Sequence, residues 1–105
     1  MIRGRLPAEV IQRTVREIFG KARQCYEDAR TRDPHLRGRV TTRFTIERDG
    51  HVSQATAIDL PGAPPRLPDA KAVSCVVAWF ASLSFPPYED GIVTVAYPII
   101  FNPDE

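Results

Sequence analysis

Two cysteines, two histidines and four serines are the side chains of this sequence whose types could carry chemistry. Metal ligation needs thiolates, imidazoles or carboxylates grouped at ligand spacing, and Cys25, Cys75, His35 and His51 are too dispersed to supply it. The same separation excludes a CxxC redox or zinc motif. Ser53, Ser74, Ser82 and Ser84 have no basic partner nearby in sequence to activate a hydroxyl. His35 falls in a turn and His51 next to a hairpin tip, positions of solvated loop residues. No glycine-rich phosphate loop is present. The reading is a non-enzymatic chain, with no catalytic residue, no metal and no cofactor.

The arginines raise a different chemistry. Residues 1–48 hold twelve Lys/Arg against six Asp/Glu, whereas residues 49–105 hold two against seven. Such a dipole could steer a charged partner, or it could be a solvated basic helix face. A sheet that reads RNA needs exposed aromatics among basic residues on its strands. Here Phe44, Tyr97 and Phe101 fall on the apolar side of their strands, so no nucleic-acid partner is expected. That leaves the backbone as the chemically available surface, and the elements that expose it have to be placed.

The stretch 38–52 is the centre of the fold. Val40, Thr42, Phe44 and Ile46 alternate with Arg39, Thr41, Arg43, Thr45 and Glu47, the period of a strand with one buried and one wet face. Asp49-Gly50 provides turn residues, and Val52 restarts an extended run over 52–59 with poor alternation. Before it, Ile11, Val15, Ile18, Ala22, Cys25 and Ala29 recur at steps of four and three. They predict one amphipathic helix of about six turns, from Pro7 to near Asp33-Pro34. Gly20 lies outside the stripe and weakens it by about 1 kcal/mol relative to Ala. After the hairpin, the proline-rich residues 60–68 form a loop. Asp69 then caps a second helix with Ala72, Val76, Trp79 and Leu83 as its central stripe. Ile92 to Phe101 is a last strand, with Val93, Val95, Tyr97, Ile99 and Phe101 on one face.

The order α-β-β-α-β predicts an α+β fold, a three-stranded antiparallel sheet with two helices on one face and the first strand in the middle. At 105 residues this is a single domain, residues 1–105 with a core over about 6–103. Pro98 cannot donate on one side of its strand, which marks the last strand as an edge. Unpaired N–H and C=O groups on such an edge can take up a strand from a partner. The competing reading is a structural packing or dimerisation domain, with the edge covered by a second copy or by a tail.

Cys25 lies on the buried side of the first helix and Cys75 on the flank of the second. From position alone they are two buried thiols or one bridge between the helices; a bridge would close a loop of about 50 residues and contribute about 4 kcal/mol. No run reaches the roughly 20 apolar residues of a membrane span, and no signal peptide is visible.

Gly38-Arg39-Val40, Arg43-Phe44, Ile46, Asp49-Gly50 and Val52 are followed by Leu67-Pro68-Asp69-Ala70. Trp79 through Leu83 to Phe85-Pro86 comes next, and the pattern closes with Val93, Val95 and Tyr97-Pro98-Ile99. It resembles the C-terminal domain of TonB-family proteins, and more narrowly the AgmX/PglI C-terminal domain of myxobacterial gliding-motility proteins. That subtype has a leading helix with a Cys-Tyr-Glu element, here Cys25-Tyr26-Glu27, and a second cysteine in the later helix, here Cys75. The resemblance runs from about Leu6 to Pro103. It implies a Cys25–Cys75 disulfide and an oxidising compartment, the periplasm, in a protein anchored in the inner membrane. It further implies energy transduction or gliding motility through a grip on a short extended segment of an outer-membrane or periplasmic protein, with no direct membrane insertion of this domain. The positions carried over are Val93, Thr94, Val95, Ala96 and Tyr97. On that basis Val95→Pro is expected to abolish binding without unfolding the domain. The membrane anchor and Pro-rich spacer of such proteins are not in this sequence, so transduction would require them from elsewhere.

Overall fold

The computed structural model describes residues 2–104. Its elements are α1 (Ala8–Arg16), α2 (Phe19–Arg30), β1 (Gly38–Ile46), β2 (Val52–Ile58), α3 (Ala70–Ala81) and β3 (Val93–Phe101). The strands form one antiparallel sheet in the order β2-β1-β3, so the expected α+β architecture and the central place of the first strand are observed. Val40, Thr42, Phe44 and Ile46 of β1 are buried with Val15, Tyr26, Val76 and Phe80 from the helices. Phe44 is the centre of this layer: its ring lies 5.4 Å from Phe80 and 6.2 Å from Phe85.

The single leading helix is in fact two. At Glu17–Ile18 the backbone N–H groups donate to Thr14 and Val15, three residues back rather than four, and Ile18 takes φ −102°, ψ 2°. That tightened turn re-aims the chain, so α1 buries Val10, Thr14 and Val15 while α2 buries Ala22, Cys25, Tyr26 and Ala29. Ile11, the first member of the expected stripe, is only half-buried. In α3 the Asp69 cap is as expected, its carboxylate accepting from the Ala72 N–H at 2.9 Å. The buried face is Ala72, Val73, Val76 and Phe80; Trp79 is half-buried, under the Lys21 ammonium.

A disulfide joins Cys25 of α2 to Cys75 of α3, with Cα atoms 5.8 Å apart. It spans 50 residues of sequence, so the chain-entropy contribution is about 4 kcal/mol.

The far side of β1 is not uniformly wet. Arg39 is 2% exposed and Thr41 is fully buried. The reason is the proline-rich loop, which folds over them. Arg39 donates from Nε to the Pro64 carbonyl at 2.9 Å and from Nη1 to the Ile58 carbonyl at 2.9 Å and to Thr41 Oγ1. Its Nη2 reaches Asp59 Oδ1 at 2.8 Å. A buried guanidinium is tolerable when its fork is filled in this way. Arg66, then Arg39, hold the Asp59 carboxyl below the usual carboxylate range.

Poor alternation in β2 has a local cause. The β1–β2 register shifts between Arg43 and Thr45, and Gln54 takes φ 55°, the signature of a bulge.

Candidate binding edge

Which backbone groups of β3 face outward follows from β1. Arg39 donates its N–H to Pro65 O at 2.9 Å and accepts from Leu67 N–H at 2.9 Å, on the side away from β3. Backbone direction alternates along a strand, so Thr41, Arg43 and Thr45 also face β2, and Val40, Thr42, Phe44 and Ile46 face β3. The register pairs those four with Ile99, Tyr97, Val95 and Val93. Val95, Tyr97 and Ile99 therefore turn their N–H and C=O groups to β1, and Val93 faces the same way, its N–H going to the Tyr88 hydroxyl. Thr94, Ala96, Pro98 and Ile100 turn theirs outward. The missing donor of Pro98 lies on the open side, leaving outward N–H groups at Thr94, Ala96 and Ile100.

Of the five positions carried over from the resemblance, Thr94 and Ala96 thus present backbone to a partner. Val93, Val95 and Tyr97 present side chains to the helix layer, half-buried. The expectation for Val95→Pro changes with this: a proline there breaks the bond to Phe44 in the β1 ladder, so it would damage the sheet itself.

Nothing within the described residues pairs with the outer side of β3. The N-terminal segment comes near and stops short: Ile2 pairs with Tyr88, and Gly4 O accepts from the N–H groups of Glu89 and Asp90. Tyr88 anchors the start of the strand, its hydroxyl donating to Ile46 O and accepting from Val93 N–H at 3.2 Å.

Beside the edge, Phe19 of α2 approaches Tyr97 with ring centroids 6.2 Å apart. Together with Arg23, Pro98, Ile100 and Phe101 they surround a shallow hollow of about 310 Å³. Among the described residues four large hydrophobic residues are exposed, and three of them, Phe19 (40%), Ile92 (59%) and Ile100 (59%), belong to β3 or its border. These could be found in sequence only in part: Ile92 and Ile100 show as apolar residues on a face that should be polar, but Phe19 reads as core.

The opposite edge, β2, has its own trough, about 730 Å³, between Ala55 and Ala57 of the strand and Val73 and Val77 of α3. Small side chains on both walls create it.

Both histidines are exposed. His51 Nδ1 contacts Asp49 Oδ1 at the exposed hairpin tip, and His51 N–H with that ring holds the Asp49 carboxyl low. Among the described residues no three His, Cys, Asp or Glu are grouped so as to hold a metal ion. Among the described residues no helix is long and apolar enough to cross a membrane. No family model, curated protein or solved structure matches this chain.

Proposed function

We propose that this is a non-enzymatic protein-interaction domain of TonB C-terminal type that grips a partner by adding a strand to β3. One observation carries the reading. The last strand is an unroofed edge with outward donors at Thr94 and Ala96, bordered by exposed apolar side chains where a docked segment could bury one of its own. Main-chain bonds would supply affinity and the Phe19–Tyr97–Ile100 hollow would select the side chain. The Cys25–Cys75 bridge supports placement in an oxidising compartment, read here as the periplasm, within an inner-membrane-anchored gliding or transport complex. The partner on this reading is an extended segment of an outer-membrane or periplasmic protein.

The test is an amide titration with extended peptides from such proteins. Shifts should centre on 92–100. Ala96→Pro removes one outward donor and leaves the β1 ladder whole, so it should weaken binding by about tenfold or more while Tm stays within a few degrees. The size of the β2 trough favours a second reading, in which the segment adds at Ala55 and Ala57; shifts confined to 55–57 and 73–77 would select it. A spectrum unchanged by every peptide would leave the packing or dimerisation domain.

A further inference from the structure

Two Asp-Gly pairs occur in the chain, Asp49-Gly50 and Asp90-Gly91. A glycine after an aspartate leaves its backbone nitrogen unshielded, since no Cβ blocks its approach to the carboxyl carbon. The fold treats the two pairs oppositely. At the hairpin tip Gly50 is buried, its N–H donating to Glu47 O at 2.8 Å and its carbonyl accepting from Phe85 N–H at 2.9 Å. Asp49 Oδ1 accepts from His51 N–H at 3.1 Å. That bond and the His51 ring hold the carboxyl below the usual carboxylate range, so less of it carries the hydroxyl that a condensation must lose. Nitrogen and carboxyl are both occupied there. Asp90 and Gly91, in contrast, are both exposed. Asp90 N–H is held by Gly4 O at 3.0 Å, and Val93 N–H by the Tyr88 hydroxyl at 3.2 Å. Between those tethers neither Gly91 N–H nor the Asp90 carboxylate has a hydrogen-bond partner among the described residues. A Cβ built on Gly91, at φ 74°, meets nothing within 4 Å. The turn is anchored on both sides and loose at the peptide the reaction must rotate.

We propose that Asp90 is a modification site, at which aspartate converts to isoaspartate in the folded protein, and that the product loosens the start of β3. The Gly91 nitrogen bonds to Asp90 Cγ and gives up its proton, which leaves with the carboxyl hydroxyl as water. The product is a cyclic succinimide. Water then adds at the former backbone carbonyl carbon and breaks its bond to nitrogen. Gly91 stays attached through Cγ, and the old backbone carbonyl becomes a carboxylate. Addition at Cγ instead restores aspartate. One water leaves and one returns, with no change of oxidation state and no other reactant. The isoaspartate places one extra backbone atom between Tyr88 and Val93, the two residues that the Tyr88 hydroxyl joins. It does so directly before Thr94, the first outward donor of the edge.

The experiment ages the native chain, bridge intact, at neutral pH and body temperature, and locates isoaspartate by peptide mapping with electron-transfer fragmentation. Isoaspartate should accumulate at residue 90 roughly tenfold or more faster than at residue 49. In the reduced chain unfolded by guanidinium the two rates should converge, because the fold is what separates two pairs alike in residue type. In the aged fraction, isolated by chromatography, the Val93 amide should exchange its hydrogen severalfold faster than in fresh protein. Equal rates at the two pairs in the native chain, a faster reaction at 49, no isoaspartate at 90, or a difference that persists after unfolding would each overturn the site. An unchanged Val93 amide would overturn its consequence for β3. No readout involves a partner segment, so failure here is separable from that of the strand-addition reading.

Discussion

Gly50 occupies the hairpin tip at φ 94°, and a Cβ built on it would lie 1.8 Å from the Phe85 carbonyl oxygen. The contact is with backbone that accepts no displacement cheaply, because Phe85 N–H bonds Gly50 O at 2.9 Å. Gly50→Ala should cost more than about 2 kcal/mol in urea unfolding. Thr42 behaves oppositely. It is buried under the helix layer with no partner for Oγ1, so Thr42→Val should raise stability by about 1 kcal/mol. Asp69 adds a pH dependence. The Ala72 N–H, then Arg32, hold its carboxyl below the usual carboxylate range. A lowered folded-state pKa stabilises above the unfolded value, near pH 4, and the gain is lost as pH falls through the folded value. Asp69→Ala should therefore cost about 1 kcal/mol at neutral pH, and melting curves of variant and parent should converge on acidification. Of these three residues, Gly50 and Asp69 were legible as turn and cap. The orphaned Thr42 hydroxyl was not, since alternation shows which face a residue occupies and not what its oxygen meets there.

Periodicity foreshadowed β1, α3 and β3; it showed β2 only weakly and gave one leading helix where there are two. The leading stripe is continuous through Ile18, yet α1 and α2 bury different columns, because three-residue hydrogen bonds at Glu17 and Ile18 let each half settle separately. Arg39 alternates as a wet residue and is buried, because Pro64 of the loop and Ile58 at the end of β2 supply carbonyls to its guanidinium. The bulge at Gln54 shows in the sequence only as poor alternation over 52–59, which does not say where the register shifts. The bridge between α2 and α3 is the element-scale device most open to measurement. Removing it in Cys25→Ser/Cys75→Ser should lower unfolding free energy by about 4 kcal/mol, with protection lost first in α1 and α2 and last in β1.

At the scale of the molecule, a sheet covered by helices on one face and by a loop over part of the other, and among the described residues unpaired at both ends of its strand order, must manage its own stickiness. Ile92 and Ile100 leave that management incomplete. Ile92→Lys/Ile100→Lys should reduce concentration-dependent association in sedimentation while Tm moves little, since neither side chain is in the core. The strand order itself was readable from connection rules and from Pro98, but the direction in which that proline is silent was not; it needed the register with β1. That direction has an arithmetic consequence. Two copies related by a twofold axis and joined along β3 across this stretch would each bring a proline to the seam, and two bonds would go missing. A foreign strand with ordinary residues loses one. The same residue thus penalises the twin twice and the stranger once, a bias toward mixed company written into a single ring.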